Sequence, residues 1–291
     1  MGKPNLLSHQ QKDYYQQKGY CFPIAVLEER EVARFRNNFD DYCLKNADQV
    51  AALPPRDQHI VFSETHSYLK WVYEIVSHTK VLDAVECVLG PNLLVWNTRW
   101  FAKMPGDKTY ISWHQDATYW GLHPPKVATA WVALSESVPE NGCMRLLPGS
   151  HHGALLPQRE TYAADNALSR GQEIAVEVDE TKAVDVCLRP GEMSLHDIGL
   201  VHGSNVNRSD GPRIGLAIRY IAPEVVQEGT ARQIAFLVRG KDEYSHFDPG
   251  EPPTSNSPTG GMHSEAVKRM LKNLMPAGYT VPGVSGKHEE G

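Results

Sequence analysis

Cysteine is scarce in this chain. There are five in 291 residues (Cys21, Cys43, Cys87, Cys143 and Cys187), an odd number with no C-x-x-C pair. That argues against a disulfide framework and against a thiolate zinc site. Most have apolar neighbours, so they read as small buried hydrophobes in a protein of a reducing compartment. Long apolar runs are also missing: no stretch approaches the roughly 18 residues a membrane span needs. Residues 1–17 are polar and hold no apolar run of signal-peptide length. The expectation is a soluble cytoplasmic protein with no membrane partner. Positive charge is in deficit, 29 Lys plus Arg against 35 Asp plus Glu for a net charge of -6, which argues against nucleic acid as a partner. No G-x-G-x-x-G or Walker loop offers a phosphate cradle, and no internal repeat is present. What remains is ordinary globular usage, 41% hydrophobic and 22% charged, with a surplus of 13 histidines and 6 tryptophans.

The pattern along the chain predicts a single domain, 1–291, in three stretches. Residues 1–92 form a helical buttress. Ser8-His9-Gln10-Gln11 has the form of a capping box, and Gly19 stops that helix. Residues 19–24 read as a short strand. Val32, Phe35, Phe39 and Cys43 recur at helical spacing over residues 28–46. A longer helical stretch over residues 66–89 ends at Gly90-Pro91. Residues 93–222 change texture to short β-type runs at 93–104, 126–134, 143–147, 184–195 and 213–221. Turn signals such as Asn141-Gly142 and Arg189-Pro190-Gly191 punctuate them, which suggests an antiparallel sandwich or barrel. Residues 223–291 include a Pro/Gly/Ser-rich loop at 248–261 and a short helical pattern at 264–274.

Chemistry concentrates at Trp113-His114-Gln115-Asp116. On an extended segment, residues two apart point to one face, so His114 and Asp116 can converge. An imidazole and a carboxylate with open positions suit non-haem Fe(II) once a second histidine arrives. The candidate is His202, in Gly199-Leu200-Val201-His202-Gly203-Ser204, with His196 as a competitor. Arg213 opens the next apolar run. Its guanidinium would point into the same cavity and grip a carboxylate through two parallel hydrogen bonds.

Taken together, H-Q-D, then W-V-A-L-S-E-S-V-P-E-N-G-C-M-R-L-L-P-G-S-H, then P-G-E-M, H-G-S, N-R-S and P-R, resemble the phytanoyl-CoA dioxygenase family. The resemblance runs from about Asn97 to Ala222. It implies a mainly β fold with flanking helices around a double-stranded β-helix, the jelly-roll of cupins. It also implies an Fe(II)- and 2-oxoglutarate-dependent dioxygenase that uses O2, releases succinate and CO2, and hydroxylates an unactivated C–H bond of a small molecule. Carried over residue by residue, His114, Asp116 and His202 would hold the metal. Arg213, helped by Ser204, would hold the distal carboxylate of 2-oxoglutarate, and Trp131 would line that pocket. Related halogenases have a small residue in place of the carboxylate, so Asp116 favours hydroxylation. The competing class is a non-catalytic or non-oxidative metal-binding cupin, such as a sensor, hydrolase or isomerase. Arg213 and Ser204 argue against it, because that chemistry has no need of a dicarboxylate clamp.

Other residues have two readings. In the alternating run 95–101, Asn97 and Arg99 share one face, while Trp96, Thr98 and Trp100 share the other. The polar pair either contacts co-substrate or substrate inside a barrel, or faces solvent from an edge strand. Tyr119, Trp120 and His123 follow the H-x-D motif and either shape a substrate pocket or pack under a loop. His151 and His152 read as loop residues, since adjacent side chains diverge. Residues 155–182 form either a lid or a surface excursion. The motifs are compatible with acyl-CoA thioesters, natural-product intermediates, quaternary amines and organophosphonates alike.

Overall fold

The computed structural model describes residues 6–229, 231–257 and 264–274. The last four residues of the 248–261 loop lie outside them. In chain order the elements begin with α1 (His9–Lys18), β1 (Tyr20–Ala25), α2 (Glu29–Lys45), α3 (Ala47–Ala52), α4 (Lys70–Val76) and α5 (Thr79–Leu89). Next come β2 (Leu93–Lys103), β3 (Ile111–His114), α6 (Ala117–Trp120), β4 (Leu122–His123), β5 (Val127–Ala133) and β6 (Met144–Leu146). They are followed by β7 (Gln158–Glu160), β8 (Gln172–Ile174), β9 (Val184–Asp185), β10 (Glu192–Asp197) and β11 (His202–Ser204). The remainder are β12 (Arg213–Ile221), β13 (Val226–Gln227), β14 (Ile234–Arg239), β15 (Asp248–Pro249) and α7 (Glu265–Leu274). No described helix is long and apolar enough to cross a membrane.

Seven strands form the larger sheet, in the order β1-β10-β5-β12-β2-β14-β15, and four form a smaller one, β3-β11-β6-β9. Pairing is antiparallel throughout, except that β14 runs parallel to β15. Neighbours in space are far apart in sequence, as in a double-stranded β-helix. The period-two geometry of β12 sorts its residues cleanly. Ile214, Leu216, Ile218 and Tyr220 join a core with Phe35 of α2, Val72 and Ile75 of α4, and Val81 and Val85 of α5. Arg213, Ala217 and Arg219 point the other way and line a cavity. The helices thus seal the outer face of the large sheet, and the Tyr220 hydroxyl donates to the Val76 carbonyl at 2.7 Å.

Local signals explain most boundaries. The Ser8/Gln11 capping box starts α1, and Gly19 ends it in the left-handed region at φ 82°. Four departures from expectation are informative. The helical stretch expected over 66–89 is a turn at Thr65–Ser67 and two helices, broken where Ser77, His78 and Thr79 place three polar residues together. There the Ser77 hydroxyl returns to the Tyr73 carbonyl, and His78 is extended. The run 184–195 is divided between two sheets, β9 in the small one and β10 in the large one. At its bend, a Cβ on Gly191 would lie 2.7 Å from the Leu27 carbonyl oxygen. Trp96 does not share a face with Thr98 and Trp100. The register between β2 and β12 slips at this point, and the bulge turns the Trp96 ring toward Trp120. Finally, β14 had no expected counterpart, although it extends the large sheet beside β2.

Candidate active site

His114 and His202 are cross-strand partners on β3 and β11, and their rings lie 4.1 Å apart. Gly203 makes that approach possible, since a Cβ there would sit 2.9 Å from the Ile111 carbonyl oxygen. Asp116 reaches the pair by a route other than the expected one. The strand ends at His114, and Asp116 caps α6 with helical φ and ψ of -59° and -37°. Convergence therefore comes from a strand-to-helix turn, not from strand periodicity. Its carboxylate lies 3.5 Å from His114 Nε2 and 4.0 Å from His202 Nε2. All three groups are buried, and one ligand atom from each falls within 4.8 Å of the others.

The tautomers suit a metal. His114 Nδ1 contacts the Ser112 carbonyl and His202 Nδ1 the Leu200 carbonyl, each at 2.9 Å. A carbonyl only accepts, so each Nδ1 carries its proton and each Nε2 offers a lone pair to the shared space. Burial, then the nearby His114, holds His202 well below the usual imidazole range and so keeps it neutral. Burial works to lift Asp116, but the neighbouring His114 and His202 rings and the charge of Arg219 outweigh it and keep the carboxyl well below its ordinary value. Two imidazoles and one carboxylate around one point fit a divalent iron.

Between His114 and Asp116, Gln115 is 1% exposed and turns to other partners. Its Nε2 donates to the Gly199 carbonyl at 2.7 Å, and its Oε1 accepts from the Leu156 amide at 2.8 Å. The middle residue of H-Q-D thus ties its loop to the segment that delivers His202.

Across the cavity, Arg213 is 1% exposed and lies over the Trp131 ring at 5.1 Å. Its Nε and Nη2 have no hydrogen-bond partner among the described residues. A buried guanidinium with two open donors is matched by a planar carboxylate. Burial lowers it only to about 10, so it stays charged. Gly215, next inward on β12, makes room for Trp131: a Cβ there would lie 2.1 Å from Trp131 Cζ2. The Ser204 hydroxyl accepts from Lys103 Nζ at 2.7 Å. Lys103 is buried, and burial followed by the charge of Arg213 pushes its amine down to about 6.

Asn97 and Arg99 face the cavity and not solvent. Arg99 donates to the Ala167 carbonyl at 2.6 Å. Asn97 accepts from Arg219 Nη1 at 3.0 Å and donates to Glu64, whose burial raises its carboxyl well above the usual range. Arg219 lies between Trp120 at 5.2 Å and Phe101 at 5.8 Å. Tyr119 and Trp120 also line the cavity. His123 does not. Its side chain is 67% exposed on β4, near Glu228, because the turn after α6 carries it outward. Among the described residues, no other histidine joins the metal-binding group, although the His196 ring lies 4.8 Å from that of His202. His196 lines the cavity with both ring nitrogens unpartnered among the described residues, and burial pushes it down to about 4. His151 and His152 do not diverge: their rings lie 3.9 Å apart, tilted by 38°, and they bond the Gln16 and Gln17 carbonyls. Leu168, Ser169, Arg170 and Gln172 bring the 155–182 segment over the cavity, and Met270 and Leu271 of α7 close another side.

The family model for phytanoyl-CoA dioxygenase (PhyH) matches residues 15–215, most of the chain. The chain belongs to the phytanoyl-CoA dioxygenase family. Among relatives of this family, the peroxisomal phytanoyl-CoA dioxygenase of Bos taurus is 28% identical over 81% of this chain and 77% of its own length. An apo structure of ThoJ, a non-heme monooxygenase, superposes with a TM-score of 0.77 at 34% identity, covering 91% of this chain and 97% of that one. CytC3 with Fe(II) and alpha-ketoglutarate shares the fold, with a TM-score of 0.62 at 23% identity over 83% and 92% of the two chains. Family, fold and the His-Asp-His group agree: the chain is an Fe(II)- and 2-oxoglutarate-dependent oxygenase.

Lys103 and Arg219 are functional-site residues that the motifs do not include, yet the alternation carries a signal for them. Extending the Asn97/Arg99 alternation along β2 reaches Phe101 and Lys103, and extending Arg213 along β12 reaches Arg219. Gln115 and Gly215 had no such signal, since their roles depend on partners remote in sequence.

Proposed function

We propose that this cavity hydroxylates an aliphatic C–H bond of a small molecule, with His114, Asp116 and His202 holding the iron. The observation that carries the reading is Arg213: a buried guanidinium with two open donors, across the cavity from two imidazoles and a carboxylate. Iron and 2-oxoglutarate, when bound, supply O2 activation with release of succinate and CO2. The residues of the chain bind and orient. Arg213 takes the distal carboxylate through parallel hydrogen bonds, and the Ser204 hydroxyl, held by Lys103, adds a further contact. Trp131 backs the guanidinium and walls that pocket from the core. Asn97 and Arg99 stand on the same inner face and serve the co-substrate or substrate beside it. Tyr119 and Trp120 shape the substrate side, and the 155–182 segment keeps bulk water off it. Asp116 fills the third ligand place, which favours hydroxylation over halogenation. The fold forms one domain in this reading.

Anaerobic addition of Fe(II) and 2-oxoglutarate should give a weak visible charge-transfer band. Arg213→Gln should raise the 2-oxoglutarate needed for half-saturation by about 100-fold, the loss of a buried charge-assisted pair. A band that titrates as in the parent protein would remove Arg213 from this role.

A further inference from the structure

Cys143 and Cys187 flank the small sheet where β6 meets β9. The register there pairs Arg145 with Asp185 and Leu146 with Val184. The Val186 amide continues it with a 2.8 Å bond to the Met144 carbonyl. Cys143 and Cys187 are the residues just beyond that last bond, one on each strand. Both strands turn there: the Cys143 amide bonds the Val138 carbonyl and the Cys187 amide that of Asp185 two residues back. A disulfide needs Cα atoms about 4.4–6.8 Å apart, a spacing within the reach of facing residues where two paired strands end. The two thiols are also hydrogen-bonding neighbours. Cys187 is exposed, whereas Cys143 is buried near Arg213. The remaining three lie apart, on β1, α2 and α5.

The pair sits at the neck of a functional segment. After β6 the chain leaves the sheet, passes over the cavity with Leu168, Ser169, Arg170 and Gln172, and returns at β9. We propose that Cys143 and Cys187 form a reversible disulfide, made by peroxide, that staples the two ends of this cavity-covering excursion. The inference needs neither iron nor 2-oxoglutarate and stands apart from the functional reading.

The order of events follows exposure and charge. Burial raises both thiols, and Cys143 the more, to about 12. Cys187 also accepts a hydrogen bond from Cys143, which favours its thiolate, so Cys187 ionises and meets the oxidant first. Its sulfur attacks a peroxide oxygen, the O–O bond breaks, and a sulfenic acid and hydroxide result. The Cys143 sulfur then attacks that sulfur, the S–O bond breaks, and water leaves. In total, two thiols lose two electrons and two protons, and one peroxide becomes two waters.

The test uses metal-free, full-length protein treated with hydrogen peroxide, alkylated, and mapped by mass spectrometry without reduction. The expected result is a Cys143–Cys187 cross-linked peptide, lighter by two hydrogens and restored by dithiothreitol. The urea midpoint should rise on oxidation in the parent protein and stay put in Cys143→Ser. In that variant, dimedone should label Cys187 as a sulfenic acid. Over-oxidation of Cys187 with Cys143 still a free thiol in the parent protein would overturn the proposal. So would a cross-link confined to other cysteines or between chains.

Discussion

The two faces of the large sheet are built from the same strands and obey opposite rules. On the outer face, Ile214, Leu216, Ile218 and Tyr220 of β12 pack with Ala130 and Val132 of β5 under the helices. There each side chain contributes mainly by leaving water. On the inner face, Arg213 and Arg219 of β12, Lys103 and Asn97 of β2, and His196 of β10 are equally buried, yet several of their polar atoms lack partners among the described residues. Burying such groups costs free energy unless something answers them. The outer face stabilises the fold, and the inner face holds polar groups in readiness for a metal and a dicarboxylate. The barrel can bear that cost because the helices seal its other side.

Truncating one residue on each face separates the two roles. His202→Ala should remove the charge-transfer band and lower iron affinity by more than about 100-fold, beyond what losing a supporting partner costs. Its urea midpoint should change little. Ile218→Ala should do the reverse, losing about 3 kcal/mol of stability through a core cavity while iron and 2-oxoglutarate titrate as before. Matching effects in both assays from either variant would mean that the two faces are not separable.

A second test concerns His66, on the outer side, where its Nδ1 meets the Thr98 hydroxyl at 2.9 Å and its ring lies 4.7 Å from Phe236. Burial holds it at about 3, against an ordinary 6.5. Between those values the unfolded chain binds more protons than the folded one. The stability is therefore fully present above pH 6.5 and is lost as pH falls toward 3. At pH 5 the loss from this group should be about 2 kcal/mol, read as a lower urea midpoint in the metal-free protein. His66→Leu should flatten that part of the profile. An unchanged slope would show that His66 already carries a proton in the folded state.

The smallest expected effect is Gly215→Ala, which forces Trp131 to yield to a methyl group. A stability cost of about 1 kcal/mol is expected, with a weaker hold on 2-oxoglutarate as the indole moves against Arg213. Unaltered 2-oxoglutarate titration would show that the Trp131 ring position does not matter to the clamp.

Much of this was legible in the sequence. The Ser8 cap, the Gly19 and Gly90 stops and the alternation in β12 are local signals, set by backbone sterics and side-chain period. The His114, Asp116, His202 and Arg213 group was legible through the resemblance of its motifs to the phytanoyl-CoA dioxygenase family, whereas the strand-face reason for His114 and Asp116 converging did not hold. What local rules misjudged depends on contacts across the fold. The bulge at Trp96 answers β12, and the split of 184–195 answers two different sheets. The outward turn of His123 follows from β4 pairing with β13.

The start and stop of α1, the stop of α5 at Gly90 and the side chains able to bind a metal were already fixed in the order of residues, since these depend on neighbours along the chain. Which face of β2 looks inward was decided only by the tertiary structure, because alternation is symmetric until helices cover one side. Tertiary packing also decided that Asp116 arrives through a helical turn, that Gln115 ties the motif to the His202 loop, and that Gly215 yields its space to Trp131. Each of these depends on a partner remote in the chain, and propensity or spacing holds no record of such a partner until the sheets close.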